Sequence, residues 1–300
     1  MINDRNAGFI GLGAMGSRIA VRLLEQGCPL LVHDSDARRT LALGAHGAET
    51  AASVAEVARA CETVILSLPH PRSVEAVVGA LLAHGRPGLR IVDMSTVGPS
   101  LIRTLSTKAR ERGIWLIDAP VSGGPARAQT GELSIMVGGD DEAVRAVWPI
   151  LALAGKHPIH LGASGSGSLA KLVNNFAASW NMLGVSQAFV LATRLGLPLD
   201  KLCAAMAAGS AQSYSLARNY PKISQEDYTA TFSLELGAKD LFLAFEAADE
   251  AGLHLLAQGE VRELVERLLA QGLGASDLAI LHKGVEAAMS EALAPKQGIR

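Results

Sequence analysis

Cysteine is scarce. Cys28, Cys61 and Cys203 are the three in 300 residues, odd in number, scattered, and without the spacing of a metal site or a disulfide framework. They read as reduced thiols of a cytoplasmic protein. Charge is sparse as well: 19% of residues are charged, the formal net charge is −2 and the sequence pI is near 6.5. That leaves no basic footprint for nucleic acid or an anionic membrane. No apolar run approaches the roughly 18 residues that span a bilayer, and the polar opening MINDRN is no signal segment. Repeats are lacking, and compositional bias is confined to Ala-rich stretches. What remains is a chain 49% hydrophobic, enough for two filled cores, whose partner is a small molecule.

Ala7 to Ile10 has the pattern of a short buried strand and runs into Gly11-Leu12-Gly13-Ala14-Met15-Gly16, with a helix predicted over Ser17 to Gln26. This is G-x-G-x-x-G between strand and helix. The first glycine permits the turn, the second lets a pyrophosphate approach the backbone, and the third lets helix and strand pack closely. A second strand, Leu30 to His33, ends at Asp34, about 20 residues on, where a carboxylate accepts from ribose hydroxyls and disfavours a 2′-phosphate. NAD is therefore expected over NADP, although Arg38 and Arg39 follow closely and offer a phosphate an alternative. Asp34 also reads as a turn or capping residue. Further buried strands, Thr63 to Leu68 and Leu89 to Met94, alternate with helices, which predicts a parallel sheet with ligands beyond its C-terminal strand ends. Leu68, Pro69 and Thr96 fall at such ends. His70, between two prolines, reads as a surface loop residue. After a strand at Ile114 to Ile117, the turn Ser122-Gly123-Gly124 offers a hydroxyl and open backbone N–H groups, a nest for a carboxylate. Leu133 to Gly139 supplies a further strand.

From about Gly167 to Leu195 the apolar residues keep a helical period without proline, and the Ser/Gly cluster before it suits capping. Lys171 and Asn175 sit one turn apart on one face. That face continues through Ala178, Met182 and Phe189, so the helix is expected to be enclosed, and an enclosed lysine needs a chemical reason. Downstream the pattern predicts helices over Leu199 to Gly209, Lys239 to Ala251, Gly259 to Gln271 and Ser276 to Met289, with Tyr220 to Thr231 as a connection. Lys239 alone reads as half of a surface Lys-Asp pair. Phe232 reads equally as pocket or core, and Arg127 as a substrate contact or a helix cap.

The chain resembles the β-hydroxyacid dehydrogenase family, which includes 3-hydroxyisobutyrate, tartronate semialdehyde and threonate dehydrogenases and glyoxylate reductases. The resemblance rests on GFIGLGAMG from Gly8, VDMSTVGP from Val92, DAPVSGG from Asp118, GELSIMVGG from Gly131, GSGSLAKLVNN from Gly165 and KDLFLA from Lys239. It implies a Rossmann-type doubly wound α/β domain over 1–163 and an all-α substrate and oligomerisation domain over 164–300, joined through a long helix at about 167–195. It implies Lys171 as the catalytic lysine, Asn175 and Ser122, Gly123 and Gly124 as substrate-binding residues, and Leu68, Pro69, Thr96 and Lys239 as cofactor contacts beside the fingerprint Gly11 to Gly16. No metal is expected, and the apolar helical C-terminal half suits burial in a homodimer or homotetramer, as in relatives.

The expected activity is NAD(P)-dependent hydride transfer to or from a small β-hydroxy acid or its semialdehyde or keto form, with Lys171 as acid/base. A lysine with an ordinary pKa of about 10.4 is a poor base near neutrality, and enclosure lowers it. Two alternatives stand beside this one. An imine reductase of the same architecture typically lacks the lysine, and a non-catalytic nicotinamide sensor has no need of Lys171, Asn175 and Ser122 together.

Overall fold

A computed structural model describes residues 7–291 of the chain. The first part alternates strand and helix: β1 (Ala7–Ile10), α1 (Gly16–Glu25), β2 (Leu30–His33), α2 (Ala37–Gly44), β3 (Glu49–Thr50), α3 (Val54–Ala60), β4 (Thr63–Leu66), α4 (Pro71–His84), β5 (Arg90–Asp93), α5 (Pro99–Arg110) and β6 (Trp115–Asp118). These six strands form one sheet in the order β3-β2-β1-β4-β5-β6, every pair parallel. Short apolar runs make short strands, and burial on both faces explains why they do not alternate with polar residues. Phe9, Val32, Ile65, Val92 and Ile117 point into one core, with α1. Ile10, Leu31, Val64, Leu66 and Ile91 point into the other, with α3, α4 and α5. The strand order reverses between β1 and β4. In doubly wound sheets the crevice at that switch point takes the ligand.

A second, three-stranded sheet follows. It comprises β7 (Val121–Ser122), α6 (Gly124–Thr130), β8 (Ser134–Val137), α7 (Asp141–Ala154) and β9 (His157–His160), in the order β7-β8-β9. β7 pairs antiparallel with β8, and β8 parallel with β9. The strict strand-helix alternation read from the sequence does not anticipate this hairpin, because β7 is two residues long and β9 carries two histidines and a proline.

The remaining elements are α8 (Ser166–Arg194), α9 (Leu199–Ala208), α10 (Tyr214–Ser224), α11 (Leu234–Glu250), α12 (Gln258–Ala270) and α13 (Leu281–Glu291), with 3₁₀ turns at Leu273–Ala275 and Leu278–Ile280. The chain divides into two compact units, Met1–Leu172 and Val173–Arg300, so the division falls inside α8. The second unit packs Met182, Phe189, Leu216, Leu241 and Phe245 in its own core.

Several helical expectations are corrected. The connection expected over 220–231 is helical as far as Ser224: Ser213 Oγ accepts from Leu216 N at 3.0 Å, and Leu216, Asn219 and Ile223 share a buried face that outweighs Pro221 inside the helix. The last helix begins at Leu281 rather than Ser276. Asp277 is fully buried there, and its carboxylate takes N–H bonds from Thr231 (2.9 Å) and Ala279 (3.0 Å) and 3.0 Å bonds from Arg218 Nη2, which holds this segment in a turn. Finally, α8 is not enclosed all round. Met182 and Phe189 are 1% and 0% exposed, whereas Leu169, Val173 and Leu191 are 45%, 59% and 55% exposed.

Candidate active site

The turn after β1 is built for close approach. Gly11 has φ +94°, and a Cβ there would strike Ser67 O. A Cβ on Gly16 would strike Gly11 O, so α1 can start where it does only with glycine. Gly13 differs: a Cβ there would meet nothing nearer than Arg39 Nη1 at 3.9 Å, so its backbone faces open space. A cradle whose outer glycines are packed and whose middle glycine is bare fits a pyrophosphate laid across the turn. Leu12 is buried, Ala14 exposed and Met15 half-buried.

Asp34 follows β2 and is tied to this turn. Its Oδ2 accepts from Leu12 N at 2.6 Å and its Oδ1 from Asp36 N at 2.8 Å. Its side chain is 6% exposed, with Arg39 Nη1 3.6 Å from Oδ2. Arg38 is engaged elsewhere, donating to both Asp36 oxygens at 3.0 and 2.9 Å. Those bonds hold the Asp36 carboxyl below its ordinary pKa. Of the two arginines, only Arg39 therefore lies against the carboxylate that would read the ribose.

The next strand ends are fastened to each other. Leu68 N donates to Ser95 Oγ at 2.9 Å, and Ser95 N to Asp93 Oδ1 at 3.0 Å. Leu68 and Thr96 are half-buried and Pro69 is exposed. His70 is exposed at the N-cap position of α4, the surface placement read from its flanking prolines.

After β6 the chain enters the hairpin. Ser122 is half-buried, and Gly123 and Gly124 follow with φ +136° and +75°, conformations that favour glycine. A Cβ on Gly124 would meet nothing within 4 Å. This backbone is thus open on one side, as a carboxylate nest requires. Gly123 packs instead on Arg127, whose Cδ would lie 2.9 Å from an added Cβ. Arg127 itself is exposed.

Lys171 is 8% exposed in the second turn of α8, and Asn175 follows one turn later, half-buried. Asn175 Nδ2 donates to Asp240 Oδ2 at 2.7 Å. Asp240 Oδ1 lies 2.7 Å from Lys239 Nζ, with side-chain exposures of 7% and 16%. The surface pair read from the sequence is therefore a largely buried one, and its carboxylate also holds Asn175. α11 starts at Leu234, more than a turn before the expected Lys239, with Ser233 Oγ accepting from Leu236 N at 3.3 Å. Phe232 is half-buried just ahead of it, with its N–H 3.3 Å from Asp277 Oδ2.

Asp118, Asp240 and Ser95 are the residues that sequence reasoning passed over. Each lies inside a motif quoted for other members. A buried acidic residue at the end of an apolar strand was the available signal for Asp118. Burial pushes its carboxyl above the ordinary value, opposed by N–H bonds from Gly165 and Ser168. Among the described residues no group of three or more His, Cys, Asp and Glu is arranged to hold a metal ion.

The family described as the NAD binding domain of 6-phosphogluconate dehydrogenase matches residues 6–162, and that described as NAD-binding of NADP-dependent 3-hydroxyisobutyrate dehydrogenase matches residues 165–284. The chain is 35% identical over 280 residues to 2-(hydroxymethyl)glutarate dehydrogenase of Eubacterium barkeri, covering 92% of this chain and 93% of that one. It is 35% identical over 285 residues to NAD-dependent L-serine dehydrogenase of Pseudomonas aeruginosa, covering 92% and 96%. Among solved structures, 3-hydroxyisobutyrate dehydrogenase of Mycobacterium tuberculosis with L-serine matches with a TM-score of 0.85 at 28% identity, covering 93% of this chain and 98% of that one. An imine reductase from Myxococcus stipitatus, at 20% identity, shares the fold alone. Two family domains in tandem and relatives matched along nearly their full length place the chain in the β-hydroxyacid dehydrogenase family of nicotinamide-dependent oxidoreductases.

Proposed function

We propose that this enzyme interconverts a small β-hydroxy acid and its semialdehyde or keto form, with Lys171 as the acid/base and NAD as the preferred dinucleotide. The observation that carries the reading is the burial of Lys171, a residue 8% exposed between Leu169-Ala170 and Leu172-Val173 of α8, one turn before Asn175. The nicotinamide, when bound, supplies the hydride acceptor or donor. In oxidation Lys171 Nζ takes the proton of the carbinol hydroxyl, and in reduction it returns a proton to that oxygen. Asn175, oriented by Asp240, donates to or accepts from a substrate oxygen without competing for the proton. The Ser122 hydroxyl and the N–H groups of Gly123 and Gly124 hold the substrate carboxylate, which converts binding energy into alignment.

The preference for NAD is supported by the Asp34 carboxylate, which follows β2 and is held by Leu12 N beside the glycine turn, since a carboxylate reading the ribose would repel a 2′-phosphate. Gly11 to Gly16 would seat the pyrophosphate. Leu68, Pro69 and Thr96, at the strand ends, are proposed cofactor contacts, as is Lys239. Self-association into a dimer or tetramer is supported by the exposed apolar residues of α8, and a cytoplasmic setting by three unpaired cysteines. The domain boundary is proposed at 163/164, just ahead of α8.

The reading is tested by following reduced-nicotinamide absorbance with NAD and NADP against L-serine, 2-(hydroxymethyl)glutarate, 3-hydroxyisobutyrate, threonate, glycerate and 4-hydroxybutyrate. NADH and NADPH are run against glyoxylate and the corresponding semialdehydes. Turnover of one pair, faster with NAD, is expected. Tight dinucleotide binding without turnover of any hydroxy acid or carbonyl acid would contradict it.

A further inference from the structure

Asp118 closes β6 and is completely buried. Its Oδ1 accepts from Gly165 N at 2.9 Å and its Oδ2 from Ser168 N at 2.8 Å. The first four N–H groups of a helix have no partner within it, and here two donors at the start of α8 are satisfied by one carboxylate from 47 and 50 residues away.

The joint has no slack. Asp118 and Gly138 exchange backbone hydrogen bonds of 3.0 and 2.7 Å. A Cβ on Gly138 would lie 2.6 Å from Asp118 Oδ1 and 2.7 Å from Gly167 N. A Cβ on Gly167 would strike Met136 O and lie 2.7 Å from Asp118 O and 2.9 Å from Gly138 N. The DAPVSGG, SIMVGG and GSGS stretches thus converge on one contact, in which glycines let the helix start press against the ends of β6 and β8 and the carboxylate fastens it.

Lys171 is four residues beyond Gly167 and three beyond Ser168, on the same helix face. At 1.5 Å per residue it stands about 4.5 Å along the axis from the fastened N–H. A serine or asparagine next to the helix would cap one N–H at less desolvation cost than a buried carboxylate. Two bonds from one rigid group do more than cap, because together they set both the axial position and the rotation of the first turns.

Resting on the assignment of Lys171 as acid/base, we infer that Asp118 is a positioning residue for the reaction, holding α8 at the height and rotation that present Lys171 Nζ to the carbinol oxygen. Asp118 touches neither substrate nor dinucleotide in this account and acts through the helix.

Asp118→Asn keeps the volume but replaces one acceptor with an amide that cannot take an N–H bond. The full-length protein carries it in two backgrounds, with Lys171 present and with Lys171→Ala, and kcat, KM, dinucleotide Kd and Tm are measured. With Lys171 present, kcat should fall about 10- to 100-fold, as small misplacements of a reacting group do. KM and dinucleotide Kd should change less than about threefold, because neither reads the placement of the proton-transfer group. In the Lys171→Ala background the same change should alter residual turnover less than about twofold, since there is no longer a lysine to misplace. An equal loss in both backgrounds, an unchanged kcat with Lys171 present, or dinucleotide binding lost in step with kcat would overturn the inference. If Asp118→Asn does not fold, Gly138→Ala displaces the same joint from the strand side with the carboxylate intact and is read by the same criteria. Full turnover in Lys171→Ala alone would instead remove the lysine assignment, and the inference with it, which separates the two failures.

Discussion

Asn175 and Lys239 share one carboxylate: Asp240 accepts from Asn175 Nδ2 through Oδ2 and pairs with Lys239 Nζ through Oδ1, each at 2.7 Å. The residue proposed to orient the substrate and the residue proposed to meet the cofactor are thereby coupled within the second unit. Neither side chain is set by its own helix alone.

Asp240→Ala should therefore damage two functions with one change. It leaves a largely buried ammonium and an amide without their partner, which costs about 3 kcal/mol or more of stability where such a pair is buried. Thermal unfolding measures that loss. Kinetics on the folded fraction should show KM raised for both substrate and dinucleotide, whereas Asn175→Ala raises it for substrate alone.

Asp34→Ala should narrow the preference for NAD over NADP by about 10- to 100-fold, the worth of one or two hydrogen bonds to a charged acceptor. Arg39, 3.6 Å from the lost carboxylate, then keeps only its 3.8 Å approach to Asp36 Oδ2 and can turn toward a 2′-phosphate. The ratio of kcat/KM for the two dinucleotides measures this, and an unchanged ratio would remove Asp34 from the ribose site.

His282 on α13 predicts an acid-side instability. Burial lowers its pKa below the ordinary 6.5, with Glu286 opposing and Lys283 adding to the shift, and its Nδ1 has no hydrogen-bond partner among the described residues. The unfolded chain takes up the proton more readily than the folded one. Stability is therefore complete above pH 6.5 and is lost as pH falls through the lower folded value. Melting temperatures should drop as pH is lowered from 6.5, and less steeply in His282→Phe. Parallel curves for the two proteins would refute the assignment.

The parts legible in the sequence were those carried by local pattern. The runs at Ala7, Leu30, Thr63 and Arg90 are strands because each centres on two or more consecutive buried apolar residues, with the polar ones (His33, Thr63, Arg90 and Asp93) at its ends, and the fingerprint glycines lie in sequence as they lie in space. β3 and β7 escaped because two residues carry no period. α10 escaped because Pro221 reads as a breaker while its buried face at Leu216, Asn219 and Ile223 outweighs it. The side chains proposed to act on substrate, Lys171, Asn175 and Ser122, can be singled out in the sequence, but the contacts made by Asp118 and Asp240 cannot. Asp118 meets Ser168 across 50 residues and Asp240 meets Asn175 across 65. At those separations an aspartate looks like any other until the chain is folded.

Lys171 is proposed to move the substrate proton. The most direct measurement is turnover and dinucleotide affinity of Lys171→Ala, with and without added small primary amine, on whichever hydroxy acid the wild-type enzyme oxidises. In that variant kcat should fall by about 10²- to 10⁴-fold, the usual worth of a placed acid/base, with dinucleotide Kd nearly unchanged and partial recovery by the amine. A variant that turns over normally, or one that loses dinucleotide binding together with activity and is not rescued, would contradict it.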